Sequence, residues 1–193
     1  MLKLAAANFS IVVNFMAKKE LTSTSKLLIG LLAAGEALSL FFPTPRQFRK
    51  MALRGEWKSY DSFRGVLYRL YQRGWIKFVD KNNTRFIRLT KKGKLQALLS
   101  KMSMKPSLQW DGRWWLIMWD IPEESKSQRY HLRMAVRHMG FMQLQASVFI
   151  SPYSVSREAM VYLNESGLIN YIRIAEVKEM DNDKDLMRKF GLR

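Results

Sequence analysis

The side chains of this sequence that could do chemistry fall into two sets. The first is basic and aromatic. Between Ser59 and Gly74, Tyr60, Arg64, Tyr68, Arg69, Gln72 and Arg73 share one side of a helix. Its other side carries Phe63, Val66, Leu67 and Leu70 at an i, i+3, i+4, i+7 spacing. An arginine fork matches the guanine edge in the major groove and a glutamine amide matches adenine, so this face suits double-stranded DNA. The second set is one carboxylate, Asp120, at the end of an apolar strand. It is the one credible catalytic or metal-binding residue of the chain. Metal nucleases usually cluster several carboxylates, and none gathers around Asp120. Glu123 and Glu124 lie beyond Pro122 and read as the acidic first turn of a helix. The favoured role for Asp120 is therefore to cap the following turn and support a dimer.

Other chemistries lack their residues. Cysteine is absent, which removes disulfides, cysteine-based zinc sites and thiol catalysis. His131 and His138 are seven apart, not four, so they make no helical metal pair. With Arg133 and Arg137 they read as a solvated basic stripe, open to DNA or a partner. No glycine-rich phosphate loop or nucleophile elbow occurs. Trp110, Trp114, Trp115 and Trp119 could stack on bases, but their place near a strand start favours packing.

The charge is unevenly spread. Lys and Arg number 33 against 16 Asp and Glu, a net +17. Up to Gln109 there are 21 basic and 5 acidic residues; from Trp110 onward there are 12 and 11. A surface as basic as the first half binds a polyanion by releasing its counterions. The longest apolar run, Leu27 to Phe42, holds Glu36 and is shorter than the roughly 20 residues of a membrane span. The stretch Leu4 to Ala17 reads as a leading helix or arm, with a signal peptide as the weaker alternative.

The elements that must position these residues come in order. Thr24 caps a helix running to about Phe42. Thr44-Pro45-Arg46-Gln47 is a capping box that opens a second, short helix carrying Phe48 inward and ending near Gly55. Ser59 caps the third helix and Gly74 closes it. Strands Trp75 to Val79 and Arg85 to Leu89 form a hairpin carrying Lys77, Lys81, Arg85 and Arg88. Leu89-Thr90-Lys91-Lys92-Gly93 then opens a further helix with Thr90 as cap. The order resembles a winged helix-turn-helix, in which the third helix enters the major groove and the hairpin touches the backbone.

The polar stretch 104–109 reads as a linker. Beyond it the sequence predicts a strand over Leu116 to Trp119, a helix over Lys126 to Met139 and one strand over Met142 to Ser151. A helix from Ser156 to Gly167, a strand over Tyr171 to Val177 and a short helix over Asp183 to Phe190 complete it. A β-α-β-α-β pattern this compact suits a ferredoxin-like α/β sandwich, and a small sheet often gains stability by dimerising. The runs WDGRWWLIMWDIPEE and GFMQLQASVFISPY resemble the central domain of the phenylacetate-degradation repressor (PaaX) family. That domain is itself similar to the small spacer-acquisition protein of CRISPR systems, a ferredoxin-like homodimer. The marks carrying the resemblance are Asp120, Arg129 and Arg133, the Gly140-Phe141 pair, and Gln145, Ser147, Val148 and Phe149. Ile150 stands where the spacer-acquisition proteins commonly carry an acid. The repressors continue into a further C-terminal domain, so an effector site carried there, such as one for a CoA thioester, is expected to be missing.

The expected protein is thus α+β, a winged helix-turn-helix followed by a ferredoxin-like sandwich. Its segments are 1–22 as an arm, 23–103 as the DNA-binding domain, 104–109 as linker and 110–193 as the dimerisation domain. The expected function is sequence-specific binding of double-stranded DNA by a cytoplasmic homodimer that represses transcription, without a membrane partner or cofactor. Expected base readers are Arg64, Tyr68, Arg69 and Gln72, with Tyr60 beside them. Expected phosphate contacts are Arg46, Lys58, Arg73, Lys77, Lys81 and Arg85. The alternative, implied by the resemblance to the spacer-acquisition proteins, is a metal-dependent nuclease or integration scaffold of CRISPR-adaptation type, with Mg²⁺ held through water and phosphate by Asp120 from each of two subunits.

Overall fold

The computed structural model describes residues 21–33, 40–41, 46, 48–49, 59–81, 83–103 and 109–192. The expected arm up to residue 20, Lys58, three of the four capping-box residues at 44–47 and the linker residues 104–108 lie outside them. The chain forms two compact units, Met1–Ser100 and Lys101–Arg193.

In the first unit, helix α1 spans Ser23–Ala33 and buries Leu27, Leu28, Ile29 and Leu31. Its cap is Thr22, whose Oγ1 accepts from the Ser25 amide at 3.2 Å, rather than Thr24. The expected continuation to Phe42 does not occur. Leu40–Phe41 is a short strand, β1, paired antiparallel with the later strand Thr84–Leu89, through Leu40↔Ile87 and Phe41↔Phe86. Leu, Phe and Ala suit a helix or a buried strand equally, and only the non-local partner decides between them. Arg46, Phe48 and Arg49 are helical, and Phe48 is buried.

Helix α2, Tyr60–Gln72, is bounded as its sequence predicts. Ser59 and Ser62 form a reciprocal capping box: the Ser59 side chain accepts from the Ser62 amide, and Ser62 Oγ from the Ser59 amide. Gly74 ends the helix at φ +66°, a left-handed conformation that costs glycine nothing. There the Gly74 amide donates to Tyr71 and the Trp75 amide to Leu70, closing a Schellman turn. The apolar face of α2 joins Leu27, Leu28, Leu31, Phe48, Ile76, Ile87 and Ala97 in one core.

Strands β2, Ile76–Lys81, and β3, Thr84–Leu89, run longer than the sequence pattern suggests and pair in register up to Lys81↔Thr84. Asn83 sits at φ +56°, and asparagine tolerates the left-handed turn that a tight hairpin requires. The sheet order is β1-β3-β2. Helix α3, Lys91–Met102, begins at the expected Thr90 cap, whose Oγ1 accepts from the Gly93 amide at 3.0 Å.

The second unit holds strand β4 (Trp114–Trp119), helix α4 (Lys126–His138), strands β5 (Met142–Gln145) and β6 (Val148–Ser151), helix α5 (Arg157–Glu165), a 3-10 turn, strand β7 (Ile172–Val177) and helix α6 (Lys184–Phe190). The single strand expected over Met142 to Ser151 is a hairpin. Its partners are Met142↔Ile150 and Gln143↔Phe149, with a bulge between Gln143 and Gln145. The alternating pattern continues through the reversal, and Ala146-Ser147 carries no glycine, proline, asparagine or aspartate, so periodicity alone reads one strand. As a consequence Leu144, which a single strand over Met142 to Ser151 would place on the same face as the buried Ile150, is 39% exposed. Glu123 and Glu124 also depart from expectation, because α4 starts after them, at Lys126.

The extra strand completes the order β-α-β-β-α-β, with an antiparallel sheet arranged β5-β6-β4-β7. This is the chain order of the ferredoxin-like sandwich. One row of its sheet buries Ile117, Trp119, Phe149 and Ile172. The other is anchored by Trp114, whose ring lies 5.1 Å from that of Trp110 and 5.8 Å from that of Phe190. The tryptophan cluster is therefore packing. Among the described residues, no helix is long and apolar enough to cross a membrane.

Candidate nucleic-acid interface

The outward side of α2 is set by its buried side. With Phe63, Val66, Leu67 and Leu70 in the core, helical spacing leaves Arg64, Tyr68, Arg69, Tyr71 and Gln72 exposed. Arg64 lies over the Tyr60 ring at 5.9 Å, within cation–π range, and Tyr60 packs edge-on against Phe48 at 5.2 Å. The structure thus puts Tyr60 half-buried at the edge of the core, where it steadies Arg64. Tyr68 is 64% exposed and sits at the centre of the outward stripe. Arg69 leans back over Gly65, its guanidinium 3.5 Å from the place a Cβ there would take. Arg73 stacks on Trp75 at 4.8 Å, and Arg46 is exposed on its own helical turn.

Tyr71 was absent from the residues expected at the interface. It is 49% exposed, and its ring lies 5.3 Å from Phe78 of β2, so it ties helix to hairpin. The signal was in the sequence: Tyr71 is three residues from Tyr68 and next to the last residue of the helix.

Register sorts the hairpin's charges. Lys77 stands directly opposite Arg88, and both side chains are exposed. Like charges placed opposite each other oppose strand pairing and favour an anionic ligand. Arg88 thereby joins the interface beside Lys77. Lys81 pairs with Thr84 across the hairpin end, and its side chain lies outside what the structure describes. Arg85 behaves differently. It faces Asp80 and donates to both carboxylate oxygens, at 3.0 and 3.3 Å. That hydrogen-bonded pairing holds the Asp80 carboxyl below its ordinary range and raises Arg85. Both groups are well exposed, so the pair contributes little to stability. Its effect is to turn Arg85 inward on Asp80.

Asp120 follows β4, exposed, its amide donating to the Tyr171 carbonyl at 3.2 Å. It borders an open hollow lined by Met118, Trp119, Asn170, Tyr171 and Arg173. A hard divalent cation needs several oxygen ligands, and the hollow adds a guanidinium where a second carboxylate would be required. Within one chain this donor set does not fit Mg²⁺. Among the described residues no group of three His, Cys, Asp or Glu is placed to hold a metal. His131 Nδ1 lies 3.4 Å from Ser127 Oγ, a local contact within α4.

The second unit is thus a Cas2-like α+β domain. Residues 107–187 match the family described as the PaaX protein central Cas2-like domain, so the chain carries a PaaX-type central domain and is PaaX-like, as its tryptophan-rich strand and Gln-x-Ser-Val-Phe run suggest. Among curated proteins, none matches the chain.

Proposed function

We propose that this chain is a transcriptional regulator of PaaX type that binds double-stranded DNA through its first unit. The order α1, β1, a helical turn at Arg46–Arg49, α2, hairpin and α3 is that of a winged helix, with α2 as recognition helix and β2–β3 as wing. The observation that carries the reading is the juxtaposition of two surfaces. The outward face of α2 bears Arg64, Tyr68, Arg69 and Gln72, and Tyr71 joins it to a hairpin whose outer row sets Lys77 against Arg88. Direct readout belongs to the helix. Lys77, Arg88, Arg73 and Arg46 act on phosphates, and Lys58 and Lys81 remain phosphate contacts on sequence grounds. The second unit brings two chains together in the cytoplasm, so that two winged helices meet a two-fold operator and repress by occupying a promoter.

The test is selection of bound duplexes from a random pool at about physiological salt, where non-specific binding weakens. An inverted repeat is the expected result. Enrichment without a motif would refute sequence reading. On the selected site, Arg64→Ala is expected to reduce discrimination at one base pair by roughly ten- to a hundred-fold. Uniform weakening on every sequence would make Arg64 a phosphate contact instead. Tyr68 offers an apolar ring, and the apolar feature of the major groove is the thymine methyl. Replacing thymine by uracil at one position of the site should weaken binding about four-fold, the weight of one buried methyl. In Tyr68→Ala the two duplexes should bind alike.

A further inference from the structure

Charge in the second half of the chain is segregated. Helix α4 carries Lys126, Arg129, Arg133 and Arg137 and no acidic residue, while the rest of 110–193 holds three more acids than bases. At 100° per residue the four cations and Tyr130 fall on roughly a third of the helix circumference. The centre of that face lies away from the buried Leu132, Ala135 and Val136, with half-buried Arg129 at its edge beside Val136. Arg133 and Arg137 are exposed, and Tyr130 is 62% exposed. Two other arginines of this unit are paired, Arg113 with Glu176 and Arg188 with Asp185 at 2.7 Å. Arg129 reaches Glu123 only at 3.6 Å, and Arg133 and Arg137 have no acidic partner among the described residues.

We propose that this face of α4 is a second DNA-backbone surface, separate from the reading helix. Arg129, Arg133 and Arg137 rise by roughly 6 Å per step, a row of forks suited to successive phosphates rather than to one anion. Tyr130 lies among them as a flat contact for sugar. The face supplies affinity without sequence preference, because phosphates carry none. The inference takes its ligand from the duplex-binding reading above, while its geometry is independent of it.

The experiment uses the full chain with Arg129, Arg133 and Arg137 all changed to Gln, which keeps helix propensity and polarity. A control changes the exposed Lys178, Lys184 and Lys189 to Gln, an equal change in charge elsewhere on the same unit. Affinity for the selected duplex and for a scrambled one is followed against salt. The expected result is equal weakening on both duplexes and a salt slope shallower by about 2.7, at about 0.9 per phosphate contact, with the control near wild type. A wild-type slope in the α4 variant, or the same loss in the control, would overturn the proposal and leave sequence reading by α2 standing. Failure of the wild-type chain to bind either duplex would overturn both. Loss on the selected duplex alone would assign α4 to base reading and also overturn the proposal.

Discussion

Gly93→Ala is expected to unfold the first unit at conditions where the wild-type chain is intact, with a loss of about 3 kcal/mol or more. A Cβ at Gly93 would lie 1.8 Å from the carbonyl oxygen of Trp75 and 2.7 Å from its carbon. Both are backbone atoms with no rotamer to retreat into. That carbonyl also accepts from the Thr90 amide at 3.0 Å, and Thr90 Oγ1 donates to the Gly74 carbonyl at 2.6 Å. The Leu-Thr-x-x-Gly run is thus a clamp that seats the start of α3 on the turn closing α2. A methyl there must move α3, the end of β3, or the turn. Helix propensity alone predicts the opposite sign, a gain of about 1 kcal/mol for alanine over glycine inside a helix. Chemical denaturation therefore decides between the two arguments. Because the clamp holds helix and hairpin together, the DNA binding proposed above should weaken with stability, and a Gly93→Ala chain as stable as wild type would sink the account.

Trp114→Ala should be the comparable loss in the second unit, about 3–5 kcal/mol for a large aromatic removed from a core. The Trp114 side chain is 1% exposed, packs against Trp110 and Phe190, and donates from Nε1 to Asp183 Oδ2 at 3.2 Å. It ties β4 to α6 through Phe190 and the preceding Asp183, and α6 is a helix with no buried residue of its own. The same substitution should therefore release α6, seen as early proteolytic cleavage after Val177. Trp114→Phe keeps most of the packing and loses the hydrogen bond, so it should lose about 1 kcal/mol from that bond. Equal proteolysis of Trp114→Ala and wild type would show that α6 is held by other contacts.

Where the two units carry strong local signals, sequence and structure agree. The Ser59 box, the Gly74 stop, the Thr90 cap and the apolar spacing of α2 are interactions within four or five residues, and each stands as read. The reading failed where a partner distant in sequence decides. Leu40–Phe41 became a strand because β3 presents an edge to it. The reversal at Ala146-Ser147 is imposed by the pairing of β6 with β4, which draws Val148 opposite Met118 and leaves β5 at the edge.

The candidate interface divides the same way. Which residues of α2 face outward was legible from periodicity, because a helix fixes directions locally. That Arg85 spends its fork on Asp80, while Lys77 stands against Arg88, follows from hairpin register, which a two-residue difference in turn length would change.

By itself, then, the sequence determined helix α2 with its cap and stop, the Thr90 start of α3, the concentration of positive charge in the first half and the PaaX-like character of the second. Only the tertiary structure decided which strands pair, that Arg85 is bound to Asp80, that Tyr60 belongs to the core edge, and why Gly93 must lack a side chain. Caps and helix faces depend on bonds within one or two turns. Pairing, register and close backbone approach depend on segments that meet only once the chain has folded.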